Sequence, residues 1–278
     1  MAGSARLPQA VAFFWNGILQ CPPASRERGI LSGISNSPPS GSQRPECWIC
    51  GNTAELSREH FPKKADTRSY LFKTGGQAYR TDAAQKNERI QGPGSDRLRW
   101  GAPICTRCNN AVTQPYDRAW DAARDYLLTN WEQIVAAGEF DLRAIFPRDT
   151  DEKLIDLQLY LVKVLGCLVV EQSARVDTNG FIKALLHRQP HPLLRLIFAD
   201  CSQLESKSEH LCYVSDLHVT SDKLTGKIQT VQMGYVLRPM SVQLNYATIE
   251  TSLRAIPQAW HPLASTTVVR LAPPIGEA

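Results

Sequence analysis

The sequence has no long hydrophobic run. Its longest interior apolar stretch is Val164 to Val170, far short of the roughly 20 residues that a bilayer requires, so no membrane span is expected. No internal repeat is present either, which sets aside solenoids and propellers. Strong overall charge is lacking too: 31 Lys and Arg stand against 27 Asp and Glu, a formal +4. Averaged over 278 residues, that balance selects no class of partner. What is present is enough apolar material for a sizeable core, with 43% hydrophobic and 21% charged residues, so most of the chain should fold.

The N-terminal stretch is the exception. Val11-Ala12-Phe13-Phe14-Trp15 after Arg6 faintly imitates a signal peptide, but Asn16 and Gly17 interrupt the apolar segment. Ser32 to Pro45 is mostly Ser, Gly, Pro and Asn, the composition of a linker. Residues 1–45 therefore read as a disordered extension, with structure beginning near Glu46.

Basic residues are concentrated in one place. Between Arg58 and Arg107 there are eleven Lys and Arg against five Asp and Glu, a local +6 that exceeds the excess of the whole chain. Such a segment suits a phosphate-rich partner, although a solvated loop would have the same composition.

Four of the eight cysteines form two C-x-x-C pairs, Cys47 with Cys50 and Cys105 with Cys108. Two such pairs are the usual thiolate supply for one tetrahedral zinc ion. The chain is too long for a disulfide-stapled mini-domain, so zinc is expected, with redox or disulfide chemistry as the alternative; thiolate ligands imply a reducing compartment, the cytoplasm. Cys167, inside the apolar run, reads as a small buried hydrophobe.

The pairs are separated by 54 residues, Gly51 to Ile104, where an ordinary zinc ribbon has about 15–20. The insertion contains Glu59-His60, and the second pair is followed at once by Asn109-Asn110. A nuclease must generate a nucleophile and stabilise a departing oxygen. A neutral imidazole takes a proton from water near neutral pH, and a divalent ion on oxygen ligands can steady the scissile phosphate. His60 could supply the base. Glu59 and Asn109 together would form a weak oxygen site with room for water and phosphate, the manner in which magnesium is usually held.

On Cys47-x-x-Cys50, on Leu56-Ser57-Arg58-Glu59-His60-Phe61-Pro62-Lys63 and on Cys105-x-x-Cys108-Asn109-Asn110, the chain resembles the zinc-containing HNH endonucleases of the ββα-metal type. The resemblance covers roughly residues 46–125. It implies a structural zinc on Cys47, Cys50, Cys105 and Cys108, His60 as general base, and Glu59 and Asn109 as ligands of a catalytic Mg2+ or Mn2+. In many members a central asparagine stands about five residues before the second pair; here that place is Trp100, followed by Gly101. The spacing from histidine to proline is also one residue tighter than in the commonest version.

The fold class expected is α+β, with an N-terminal ββα-metal domain over residues 46–138 and a mixed α/β accessory domain over 150–278. Tyr116, Trp120, Ala123, Leu127, Trp131 and Ile134 form one stripe at helical spacing, ended by Gly138. A second, almost wholly apolar helix is predicted from about Asp151 to Ser173, with shorter helices at Phe181–His187 and Leu193–Phe198 and strands at Leu211–His218, Lys227–Leu237 and Ser241–Ile249. Asp117, Asp121 and Asp125 share one helix face, which invites a metal-binding reading; the reading preferred is an exposed face offset by Arg118 and Arg124. His187 and His191 read as structural, and His210, His218 and His261 carry no signal.

The function expected is a divalent-metal-dependent endonuclease hydrolysing DNA phosphodiesters. Arg58, Lys63, Lys64 and Arg107 are the expected backbone phosphate contacts. Residues 150–278 would supply target choice, a regulatory ligand or a partner. The alternative is a catalytically inactive, zinc-stabilised module that binds nucleic acid or protein.

Overall fold

A computed structural model describes residues 45–69, 78–80, 88–203, 212–222, 224–248 and 258–274. The predicted extension, apart from Pro45, lies outside the described residues, as do His210, Leu211 and Ile249. The fold is mixed helix and strand, as the α+β expectation requires.

Strand β1 (Leu56–His60) pairs antiparallel with β4 (Arg99–Cys105), so two segments separated by 38 residues of chain form one ribbon. A single turn, α1 (Lys64–Thr67), follows β1, and β2 (Ala78–Arg80) pairs with β3 (Glu88–Ile90) in the intervening insertion. Directly after β4 the chain winds through a π-turn at Cys108–Val112 into α2 (Gln114–Thr129). The apolar stripe runs where its spacing puts it, but over two helices. Asn130 interrupts it, and α3 (Trp131–Ala137) carries Trp131 and Ile134 to a stop at Gly138, whose φ of 72° is the left-handed end a glycine allows.

Past the short pair β5 (Glu139–Asp141) and α4 (Leu142–Ile145), the 22-residue α5 (Thr150–Glu171) forms the centre of the molecule. It is buried nearly all round because α2, β4, α6 (Asn179–His187) and a five-stranded antiparallel sheet surround it. That sheet has the order β6 (Leu194–Asp200), β10 (Met240–Ala247), β9 (Ile228–Leu237), β7 (Cys212–Val214), with β8 (His218–Ser221) also on β9. Strand β11 (Val268–Arg270) closes onto β5, and just beyond it Ala272 bridges to Ala199 of β6.

One expectation is corrected here. Leu193–Phe198 is not a helix but most of β6, paired along its length with β10. Both faces of β6 are buried from Leu196 to Ala199, so this part of the strand is apolar without alternation, a pattern that periodicity cannot assign to helix or strand.

Among the described residues, one hydrophobic core runs through both halves of the chain. Ile49, Trp100 and Trp120 from the N-terminal side belong to the same buried cluster as Leu165, Phe198 and Leu244. One close junction is at Gly166 on α5. A Cβ there would meet the Trp48 ring at 2.4 Å, so only glycine lets the first cysteine loop lie against the central helix.

Candidate functional site

The four cysteines of the two pairs come together, their sulfurs all within 4.8 Å of one another. Cys50 Sγ and Cys105 Sγ are 3.6 Å apart, close to the roughly 3.8 Å edge of a tetrahedron with zinc–sulfur bonds of about 2.3 Å. The backbone is shaped for this. Gly51, at φ 72°, donates to the Cys47 carbonyl at 2.8 Å and closes the first loop, while the Trp48 N–H ties it to Pro103 of β4. The Cys108 N–H donates to Cys105 Sγ at 3.4 Å. Burial pushes the Cys50 and Cys108 thiols up. Cys105 is held below its ordinary value because, against that same burial, the Cys108 N–H and the neighbouring thiols hydrogen-bond to it. Four crowded thiols ionise together only around a cation, so the donor set fits a metal ion such as zinc.

The ribbon above this cluster carries the histidine. Leu56 faces Cys105 and Ser57 faces Ile104, so the cysteine end of the ribbon is in register. The register then shifts: Arg58 lies opposite Pro103 and His60 opposite Arg99, leaving Glu59 facing the three residues Trp100 to Ala102. This irregularity sits where the resembled family has its central asparagine. It is held from outside, the Gly101 N–H donating to Glu171 at the end of α5 at 3.0 Å. Trp100 stacks on Phe61 with ring centroids 4.0 Å apart, and Phe61 meets the edge of Tyr235 from β9 at 5.7 Å.

His60 is half-buried, and Arg99 Nε donates to its Nε2 at 3.5 Å. Burial lowers the imidazole pKa below the ordinary histidine value, and the positive charges of Arg99 and Lys64 lower it further, against a small opposing pull from Asp96. His60 is therefore neutral at pH 7, the protonation state a base requires. Arg99, which no sequence motif singles out, touches the ring at Nε2. Its position directly across the ribbon is visible only once β1 and β4 are paired.

Glu59 points into a different environment. Its carboxylate lies 3.5 Å from the ammonium of Lys163, which is fully buried at the middle of α5 and also bonds Asp117 of α2 at 2.7 Å. Burial raises the Glu59 pKa, with Asp117 adding to the rise and Lys163 and Lys63 opposing it. The Lys163 pKa is raised despite its burial, because Glu59 and Asp117 both favour its charge. Lys163 was missed from sequence, yet a signal existed: it is the single charged residue between Leu157 and Val170, and a buried lysine requires an acidic partner.

The acidic face of α2 meets the sequence reading in part: Asp125 is exposed and Arg124 offsets it and Asp121, but Asp117 turns inward to the core. Asp117 takes Lys163, Asp121 takes Lys63 at 2.7 Å and Arg124 at 2.9 Å, and Arg124 also bonds the buried Asp66. Tyr235 and Trp120 donate to Asp66 as well, at 2.5 and 3.1 Å. Lys63 is thereby removed from the expected phosphate contacts: its side chain is 16% exposed, and its ammonium is held by Asp121 and the Asp117 carbonyl. Lys64 and Arg107 are exposed, and Arg58 remains 43% exposed beside Asp96 at 3.5 Å. Asn109 lies at the start of the π-turn, its amide 3.5 Å from Ser57 Oγ on β1.

Among the described residues no helix is long and apolar enough to cross a membrane. Comparison with protein-family models, with curated proteins and with solved structures found no match for the chain.

Proposed function

We propose that the chain is a zinc-stabilised nuclease of the ββα-metal type that hydrolyses phosphodiester bonds of nucleic acid, DNA first among them, with His60 as general base. The observation that carries this reading is a half-exposed imidazole at the end of β1, its pKa lowered by burial, on a ribbon whose other end is pinned by four clustered cysteines. The cations Arg58, Lys64, Arg99 and Arg107 belong to this ribbon and its immediate flanks, where they suit contacts to backbone phosphates. Arg99 Nε donates to the His60 Nε2 lone pair, so His60 would accept a proton from water there once that guanidinium turns to a phosphate; the resulting hydroxide attacks phosphorus, and the bond to the 3′-oxygen breaks. That oxygen takes a proton from solvent, leaving a 3′-hydroxyl and a 5′-phosphate. Zinc would hold the ribbon to the start of α2 and take no part in the step. Thiolate ligands favour a reducing compartment such as the cytoplasm.

The Mg2+ or Mn2+ ion that the family resemblance implies is a poorer match to these residues. Glu59 is ion-paired to the buried Lys163, and the Asn109 amide faces Ser57. No step is therefore assigned to that ion.

The same ion pair favours a second reading, in which the module binds nucleic acid without cleaving it. Purified, zinc-loaded protein incubated with supercoiled plasmid, with and without Mg2+ or Mn2+, decides between them. Nicking by the parent that falls by about 10²-fold or more in His60→Ala supports a base. Retained plasmid binding with no nicking, at one zinc per chain, supports the binding module and rejects the nuclease.

A further inference from the structure

We propose that Lys163 is a resident cation that closes the Glu59 carboxylate to divalent metal ions, so that Glu59 serves as an acceptor anchoring α5 beneath the histidine strand and not as a metal ligand. The proposal deepens the nuclease reading but rests on it only where cleavage is concerned; the ion pair itself is independent of any reaction.

Three observations carry it. First, Lys163 cannot readily withdraw: its side chain is 0% exposed, on the central helix, between Glu59 at 3.5 Å and Asp117 at 2.7 Å, with its ammonium 5.6 Å from the Tyr160 ring. An ammonium removed from both acids in this core would be an uncompensated buried charge. Second, Glu59 is only 13% exposed. Magnesium and manganese are bound with most of their coordination sphere as water or phosphate oxygen, and magnesium sheds water reluctantly. A carboxylate this enclosed, already facing an ammonium, has little room for a hydrated ion and would set two cations side by side. Third, the irregular register at Glu59 faces Trp100 to Ala102, and Glu171 of the same helix holds Gly101. Two residues of α5, eight apart, thus grip the two strands at one level. The distortion at Glu59 is therefore fastened to a structural helix.

The test is titration of the zinc-loaded full chain with Mn2+, bound ion being read from loss of the free-ion electron paramagnetic resonance signal. The parent is expected to show no Mn2+ site that disappears in Glu59→Gln. Lys163→Met, similar in volume and without charge, is expected to create one, tightening Mn2+ binding by about tenfold or more, and Glu59→Gln in that background should remove it. A stoichiometric Mn2+ site in the parent that Glu59→Gln abolishes would overturn the proposal. So would a folded Lys163→Met with full zinc content and no gain in Mn2+ affinity. Should Lys163→Met fail to fold, the comparison of parent with Glu59→Gln decides the matter alone. Absence of plasmid cleavage would reject the nuclease reading while leaving the Mn2+ result intact.

Discussion

At the scale of single residues, the neighbours His60 and Glu59 have opposite fates. His60 ends β1, half-buried, beside a guanidinium, and both burial and positive charge favour its neutral form. If it is the base, the rate rises as the imidazole loses its proton, so the acid limb of the pH–rate profile should have its midpoint below the ordinary histidine value of about 6.5. Replacing Arg99 with alanine removes a nearby positive charge and admits water. Both changes ease protonation, so the His60 pKa must rise and the acid limb must move to higher pH. NMR titration of the His60 ring proton checks the shift without reference to cleavage. An unchanged or lowered His60 pKa in Arg99→Ala would refute the contact as the cause. Glu59, one residue earlier, has a carboxylate raised by burial and tied to Lys163.

At the scale of elements, α5 joins the two parts of the molecule, and its composition reflects this. A helix packed on one side would show an apolar stripe; α5 is buried from Leu157 to Val169 on every side, against α2, β4, α6 and the sheet. Its one glycine, Gly166, sits under Trp48 of the first cysteine loop. Gly166→Ala favours the helix by roughly 1 kcal/mol of intrinsic propensity. The new methyl group would nevertheless fall 2.4 Å from the indole ring, and overpacking of this kind costs about 1–3 kcal/mol. The balance should destabilise the protein and loosen the cysteine loop. Urea unfolding and the rate of zinc release to a chromogenic chelator are the measurements. A Gly166→Ala variant as stable as the parent, with unchanged zinc release, would show that Trp48 can move aside.

At the scale of the whole molecule, one core and one charge network link the N-terminal ribbon to the C-terminal sheet. Asp66, just after the histidine strand, is fully buried among Arg124 and Trp120 of α2 and Tyr235 of β9. Tyr235 also touches Phe61 beside His60, so the sheet helps form the floor of the candidate site. Breaking a buried ion pair by removing one partner costs about 3–5 kcal/mol. Arg124 retains Asp121 and Asp125, so Asp66→Asn should lose somewhat less, about 2–4 kcal/mol. Because the core is continuous, the loss should appear as one shifted unfolding transition, followed both by tryptophan fluorescence and by far-UV circular dichroism. Two separated transitions would mean that the halves unfold independently.

Much of this was open to reading in the sequence alone. Paired thiolates at metal spacing, an acid–histidine dipeptide and a 3.6-residue apolar stripe are local patterns. Each depends on spacing that the chain carries within itself, so the cysteine cluster, α2 with α3, and α5 lie where those patterns put them. Only the tertiary structure decided the partners of the charges. Lys163 is more than a hundred residues from Glu59, and Tyr235 more than a hundred and sixty from Asp66; no periodicity links residues so distant. Whether Lys63 meets a phosphate or Asp121, whether the acids of α2 face solvent or lysine, and whether Leu194–Asp200 is helix or strand all depend on what packs opposite. Burial sets the strength of an electrostatic interaction, and burial is a property of the folded assembly of elements rather than of any single segment.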